Sequence, residues 1–591
     1  MAFPSASSPL SSPPLTQSFS NQTLTTEEAR KYRPTKKLPF ELAQHVQTYY
    51  EENLFLQAFN FLLSITGNTV STLNRMAPVT IPPAPHLALA ATMVVHPVPT
   101  TRTNSREKWD QANAALRLLW LVHNTVGPIE ADFATAFTFR RYDFRSTRHV
   151  GLRFDDGDDD DEDRDVTGDD EHSAVHDLNS PYAGSQGLWV RAEDFWHVVG
   201  WAFNCACLSG IHLMRWNQYR LLLEFLIDVL ETDWQLRNAE PEPSPEESLI
   251  WQYIELAGGG HARARRIIRA IFADGTARSM GEFRSIFAHE LKEPAPENGT
   301  VKKREVDVNI EEDIYGDYTR EDDSDLSDDV DAASTGTGGG ARPSKQIRSS
   351  TRTRTPSSRG LTPKSSIGSL RSDYENGEDS APPPSSESAL GDSSSLALRL
   401  RLLRLLTYIS SHPTLTSVSP TSFPDLDDLF TLFVEFIRPL PLPVFARIVL
   451  PSSSPHQIFD DHTRTTLCES ILQRILENSA PSIRSHVHLS QTKLEEEYLP
   501  FAAGRNSVDA NARVSLLLET LTRCMVRLGA LESSEQLTSA LQKGIRRRMG
   551  CVADWGEGKK ARKGARREEE AWSWLVESGE RMDKVVKSLH R

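Results

Sequence analysis

Between Glu293 and Ser395 the 591-residue chain loses every apolar periodicity, and a stretch of that composition has too little to bury to form a core. It is acidic from Glu311 to Asp331, Gly-rich from Gly336 to Gly340, and then basic and Ser/Thr-rich from Arg342 to Arg371. Folding must therefore happen on either side of it. The expected organisation is a disordered N-terminal tail over 1–37 and a helical domain over 38–291 carrying an acidic disordered insertion at about 154–186. A disordered, charge-segregated linker over 292–395 and a second helical domain over 396–591, with a basic C-terminal segment, complete it. The fold class is mainly α: two helical blocks, irregular bundles or solenoid-like, separated by a long disordered linker. No fixed repeat period favours a solenoid.

In the first block, Leu42, Val46, Tyr49, Tyr50, Leu54, Ala58, Phe59, Phe61 and Leu62 recur at helical spacing and predict a helix or helical pair. Pro82, Pro83 and Pro85 exclude a continuous helix over Pro78 to Pro99. Trp109 to Val126 reads as the next helix, stopped by Gly127-Pro128. From Gly187 to Leu230 the density of large aromatics, among them Trp189, Phe195, Trp196, Trp201, Phe203 and Trp216, predicts the anchor of the first core. Glu224, Asp228 and Glu231 fall on the polar face of the helix that follows and read as a solvated acidic face. Gly258, Gly259 and Gly260 precede a helix with Arg265, Arg266 and Arg269 on one side and isoleucines on the other. Ser279 and Glu282 then have capping-box spacing for a further helix containing Phe283, Ile286, Phe287 and Leu291.

The second block opens on a Leu-rich run, Leu396 to Leu406, interleaved with Arg399, Arg401 and Arg404. Helices are expected at roughly Pro424 to Arg438, Thr463 to Asn478, Ser507 to Gly529 and Ser534 to Arg548. Trp572, Trp574, Leu575, Met582, Val585, Val586 and Leu589 describe a last amphipathic helix whose tryptophans should dock on the body or on a partner.

Composition narrows the classes of function. A net charge of −15 opposes uniform coating of nucleic acid, although local basic patches still allow it. Five scattered cysteines make no disulfide framework and fit a reducing compartment. The first 37 residues have no apolar core of a signal peptide, and no apolar run approaches the roughly 18 residues of a membrane span. The expected compartment is nuclear, with cytoplasmic as the alternative, and no membrane span is expected.

Motifs of catalysis are missing. There is no P-loop, no Gly-x-Ser-x-Gly elbow and no His-Glu-x-x-His helix, so no catalytic, cofactor or metal residue is assigned and no cofactor is expected. An anion site at the triple glycine ranks below a plain connector. Cys205 and Cys207 would point about 200° apart on a helix and read as small buried residues rather than zinc ligands. His486, His488 and the Asp460-Asp461-His462 cluster read as loop polar groups.

Three features carry chemistry. Arg546, Arg547 and Arg548 are separated by ten residues from Lys559, Lys560, Arg562 and Lys563, the spacing of a bipartite nuclear-import signal, and such a stretch also suits phosphate contacts. Thr355 and Thr362, each followed by proline, are candidate phosphorylation sites within the basic half of the linker. Asp155 to Glu171 holds twelve acidic residues and one basic one, Arg164, and reads first as a solvated insertion and second as a surface for basic partners such as histone tails. Arg140, Arg141, Arg145, Arg148 and Arg153 lie immediately before and at its edge.

The function these support is a non-catalytic nuclear scaffold or subunit of a chromatin, DNA-maintenance or RNA-processing complex, acting through helical protein–protein surfaces and a phosphorylatable linker. Direct nucleic-acid contact stays open. The alternative is a cytoplasmic trafficking or signalling scaffold using the basic helix face of Arg265, Arg266 and Arg269. An enzyme with an unrecognised site comes third.

Overall fold

The computed structural model describes residues 32–71, 77–140, 178–239, 243–258, 261–294, 389–418, 423–451, 459–477, 489–503, 507–556 and 565–589. The N-terminal tail, the acidic insertion and most of the linker lie outside them. The chain divides into two units, Met1–Glu297 with Pro384–Arg591, and Asn298–Pro383, and every described residue belongs to the first. Both helical blocks are thus parts of one unit.

The described residues are mainly helical, with one short parallel pair of strands, β1 (Thr35–Lys37) and β2 (Val79–Ile81). The first block runs α1 (Phe40–Glu51), α2 (Phe55–Val70), α3 (Ala84–Val95), α4 (Arg106–Glu130), α5 (Phe133–Ala136), α6 (Leu188–Arg191), α7 (Phe195–Ala206), α8 (Ile211–Ala239), α9 (Leu249–Leu256), α10 (His261–Ile271) and α11 (Ala277–Glu282). The second runs α12 (Ser393–Ser410), α13 (Pro413–Val418), α14 (Leu426–Ile437), α15 (Leu442–Val449), α16 (Asp461–Leu476), α17 (Gln491–Lys493, continuing into a π-turn at Leu494–Tyr498), α18 (Val508–Arg527), α19 (Glu535–Gly556) and α20 (Ala565–Ser588). Side chains one turn before their partners start many of these helices: Asp194, Ser248, Thr276, Asp392, Asp425, Asp460 and Ser507 each accept a bond from a first-turn amide.

Two expected boundaries shift for local reasons. The Pro-rich passage contains α3, because Pro85 sits in its first turn, where no amide hydrogen is needed. Thr276, not Ser279, caps α11, so that helix ends at Glu282 and Phe283, Ile286 and Phe287 pack from irregular backbone. Ser279 instead donates its hydroxyl to Asn204 Oδ1 at 2.6 Å. The stop at Gly127 takes the form of a kink, with φ of 78° inside α4.

α8 is the axis of the first block and packs against α3, α4, α7 and α9. Its interior face meets an aromatic cluster in which Phe225 touches Trp120, Phe133 and Phe137. In the second block, α18 is the axis, flanked by α15, α16 and α20. Ala571, Leu575, Met582 and Val586 of α20 are buried there, and Arg581 clasps the fully buried Glu519 at 2.7 and 3.0 Å. The last helix therefore docks on the body, with Trp574 half-buried and Trp572 still exposed.

The blocks meet along α12. Leu396, Leu398, Leu400, Leu402, Leu403, Leu405 and Leu406 are all buried, which explains a run of leucines too dense for a one-sided helix: α12 is covered nearly all round. It lies on α8 and α10 of the first block and α14 of the second. Its arginines meet the acidic face of α8. Arg401 donates to Asp228 at 3.1 Å and Glu231 at 2.6 Å, and Arg404 donates to Glu231 at 3.0 Å. That face, expected to be solvated, is instead the counter-charge for the second block. His123 also bonds Asp228 at 3.2 Å; burial alone would raise the Asp228 carboxyl, but His123 and Arg401 together hold it below its ordinary range.

Arg399 crosses the seam without a carboxylate. It donates to the carbonyls of Ile271 at 2.5 Å and Phe203 at 3.4 Å and lies 4.1 Å from the centre of the Phe203 ring. Burial pulls its ionisation down to about 10. Phe272 stacks on Phe436 at 5.6 Å, and Gly391 allows the chain entering α12 to press on α7. With φ of 84°, a Cβ at Gly391 would fall 2.9 Å from the Ala206 carbonyl.

Candidate interaction surfaces

Several charged groups singled out in the sequence are paired within the fold. Arg265 pairs with Glu435 of α14 at 2.9 Å, Arg266 with Glu193 and Asp194 at 3.0 Å each, and Arg269 with Glu282 at 2.8 Å. The basic face of α10 is thus internally matched, and one of its pairs spans the seam. Against Asp194, burial raises the carboxyl more than Arg266 and the His197 amide lower it. In Glu193 the balance falls the other way: burial raises it, but Arg266, His197 and Arg284 hold it below its ordinary range.

The tail cluster is split. Arg546 and Arg547 are exposed on α19, with Arg547 5.5 Å from the centre of the Phe501 ring. Neither forms an ion pair among the described residues. Arg548, expected to belong with them, points into the body. It is fully buried and donates to Ser515 Oγ at 3.2 Å and to the carbonyls of Leu499 and Phe501 at 3.0 and 3.1 Å. Successive helical residues turn by about 100°, so a run of three arginines cannot share one face of α19. Burial brings Arg548 down to about 10. Lys559, Lys560, Arg562 and Lys563, and the candidate phosphorylation sites Thr355 and Thr362, lie outside the described residues.

Cys205 is buried and Cys207 half-buried, both as free thiols, at the end of α7. Burial pushes both thiols up. Cys207 lies 3.6 Å from Arg399 and so belongs to the seam. Asp460 caps α16 and Asp461 pairs with Arg527 at 3.2 Å. His486 and His488 lie outside the described residues. Among the described residues no group of three or more His, Cys, Asp or Glu is placed to hold a metal ion, and no helix is long and apolar enough to cross a membrane.

The most elaborate polar constellation was not legible. Glu290, 1% exposed, accepts four bonds on Oε1, from Arg215 Nε and Nη2, Trp201 Nε1 and Tyr219 OH, and two on Oε2, from the amides of Ile286 and Phe287. Arg215 also donates to Thr100, Thr101 and the Val95 carbonyl. Its partners are separated by up to 120 residues, so only the fold joins them. Every carboxylate oxygen is engaged, which suits a structural clamp on the irregular segment after α11 rather than proton transfer.

An open cleft of about 620 Å³ lies between α6, the start of α7, the end of α9 and α10. Arg140, Arg191 and Arg266 line it, with Glu193, Asp194 and the exposed Leu256.

The chain matches no family model, and no curated protein matches it.

Proposed function

We propose that this chain is a non-catalytic nuclear subunit or scaffold of a chromatin, DNA-maintenance or RNA-processing assembly. One observation carries the nuclear part: Arg546 and Arg547 remain exposed on α19 and form no ion pair among the described residues, and the end of α19 leads into the segment with Lys559, Lys560, Arg562 and Lys563. Two basic clusters at such spacing fit two acidic pockets along one extended groove. The first cluster then consists of Arg546 and Arg547, Arg548 being held inside.

A scaffold role is supported by how the buried ionisable groups are used. Glu290, Glu519, Arg215 and Arg399 hold helices to one another through saturated or nearly saturated contacts, leaving them little freedom for turnover chemistry. The acidic stretch Asp155 to Glu171 suits basic partners such as histone tails, and Thr355 and Thr362 suit tuning by phosphate. The cytoplasmic alternative rests on the basic face of α10, and that face has less charge to offer because its three arginines are paired within the molecule.

A fluorescently tagged chain tests the proposal. Changing Lys559, Lys560, Arg562 and Lys563 to alanine should move the signal out of the nucleus, and affinity purification should recover chromatin or nuclear RNA-processing components. Persistent nuclear signal in that variant removes the import argument, and recovery of coat or tether subunits replaces the nuclear reading with the cytoplasmic one.

A further inference from the structure

The cleft beside α6 is not used by the nuclear reading. Its volume of about 620 Å³ falls within the roughly 300–1,000 Å³ typical of ligand clefts. Its charges are of two kinds. Arg266 is matched inside the wall, because it donates to Glu193 at 3.0 Å and pairs with Asp194 at 3.0 Å. Arg140 and Arg191 are exposed, and neither forms an ion pair among the described residues.

The scaffold fixes the backbone of the first and the side chain of the second. The Arg140 amide donates to the Trp189 carbonyl at 2.8 Å, and Arg191 Nε donates to the Ser185 carbonyl at 2.6 Å. Trp189 is itself anchored, its ring stacked on Phe137 at 4.9 Å and its Nε1 donating to the Ala88 carbonyl at 3.0 Å. Two guanidinium groups are thereby carried by neighbouring segments, the stretch after α5 and the end of α6, whose backbones are tied together at Trp189. A guanidinium offers a planar fork of donors that matches a carboxylate in two parallel bonds, and the cleft wall strengthens such a pair relative to open water.

The lining also holds an exposed aliphatic side chain. Leu256 ends α9 with 53% of its surface exposed. A continuous polyanion is a poor occupant, since a row of phosphates would have to pass Glu193 and Asp194. An occupant with separate carboxylates and an aliphatic side chain satisfies the two arginines and Leu256 without that repulsion.

We infer that this cleft binds an acidic peptide segment of a partner protein, with carboxylates on Arg140 and Arg191 and an aliphatic side chain against Leu256. The site is independent of the compartment: loss of nuclear import leaves it standing, and its failure leaves the import test untouched.

Fluorescence anisotropy on the full chain tests it, with a labelled peptide of alternating glutamate and leucine as the probe. The controls are the glutamine–leucine peptide and a single-stranded oligonucleotide of equal length. The glutamate peptide should bind at least tenfold more tightly than either control. Arg140→Glu with Arg191→Glu should weaken it a further tenfold or more, Arg140→Lys with Arg191→Lys should recover part of the loss, and Leu256→Ala should weaken it several-fold. These positions are exposed, and an unchanged circular dichroism melt will show that the fold is kept. Equal binding of the glutamine peptide, equal or tighter binding of the oligonucleotide, or indifference to the double charge reversal overturns the inference. So does binding that appears only after residues 155–171 are deleted, which would make the chain's own acidic stretch the occupant.

Discussion

Replacing Glu290 with glutamine keeps the side chain's shape and removes a negative charge from the middle of the first block. Glu290 is 1% exposed and Arg215 is fully buried, with Arg215 Nη2 and Glu290 Oε1 2.6 Å apart. A glutamine places an NH2 group where one carboxylate oxygen stood, so either the four donors around Oε1 or the two amides at Oε2 lose their acceptor. Arg215 keeps its charge with no anion beside it. Breaking one partner of a buried pair typically costs about 3–5 kcal/mol, and the hydrogen bonds are part of that figure rather than an addition to it. Urea unfolding of the full chain, followed by tryptophan fluorescence and far-UV circular dichroism, measures the loss; Trp201 reports directly because it donates to Glu290. Arg215→Met combined with Glu290→Leu should be less destabilising than Glu290→Gln, since no charge is then stranded. A Glu290→Gln chain within about 1 kcal/mol of the parent, or a double variant worse than Glu290→Gln, would refute the clamp.

Further expectations follow from the same contacts. Arg401→Glu should destabilise the seam by roughly 1.5–3 kcal/mol, the worth of hydrogen bonds to charged groups, and adding Glu231→Arg should restore part of it; absence of any recovery in the thermal melt counts against direct pairing. Gly391→Ala should cost roughly 1–2 kcal/mol through its positive φ alone, and more if the Ala206 carbonyl cannot retreat, as measured by the same melt. His96 is buried between Tyr182 and Phe287, accepts the Val98 amide on Nδ1, and is lowered to about 3 by burial and then by Arg215, Arg102 and Arg191. The unfolded chain therefore takes up this proton near pH 6.5 while the folded one refuses it until about 3, so stability should fall as pH drops through that window, by at most about 1.4 kcal/mol per pH unit. His96→Gln should flatten the slope, and an unchanged slope would reassign the effect.

The sequence made the helices legible because their apolar spacing and caps are local. Trp109 to Val126, the helix after Ser507 and the tail helix with Leu575, Met582 and Val586 all appear where periodicity put them. Charge was harder to read. Glu231 reads as solvated because nothing within its own helix says that Arg401, 170 residues later, covers it. The same holds for Arg265 with Glu435 and for Arg215 with Glu290, whose meaning lies wholly in the partner. One hint was present: the leucines of α12 run round the helix rather than down one side, which already implies burial on several faces. Arg548 reads as one of a basic cluster because adjacency in sequence is not adjacency on a helix, and the turn of the helix carries it into the body, away from Arg546 and Arg547. The prolines do exclude a continuous helix over Pro78 to Pro99, and Pro85, in the first turn, starts the shorter α3.

The union of the two blocks is tested most directly by cutting the chain between them. A specific protease site placed between Arg342 and Arg371, cleaved to completion in the native protein, should leave the two fragments eluting together as a one-to-one complex on size exclusion. They should stay together at moderate salt, because the buried leucines of α12 and the carbonyl bonds of Arg399 remain when surface charges are screened. Fragments that separate under native conditions, each with its own unfolding transition, would contradict the seam and restore the picture of two independent helical domains.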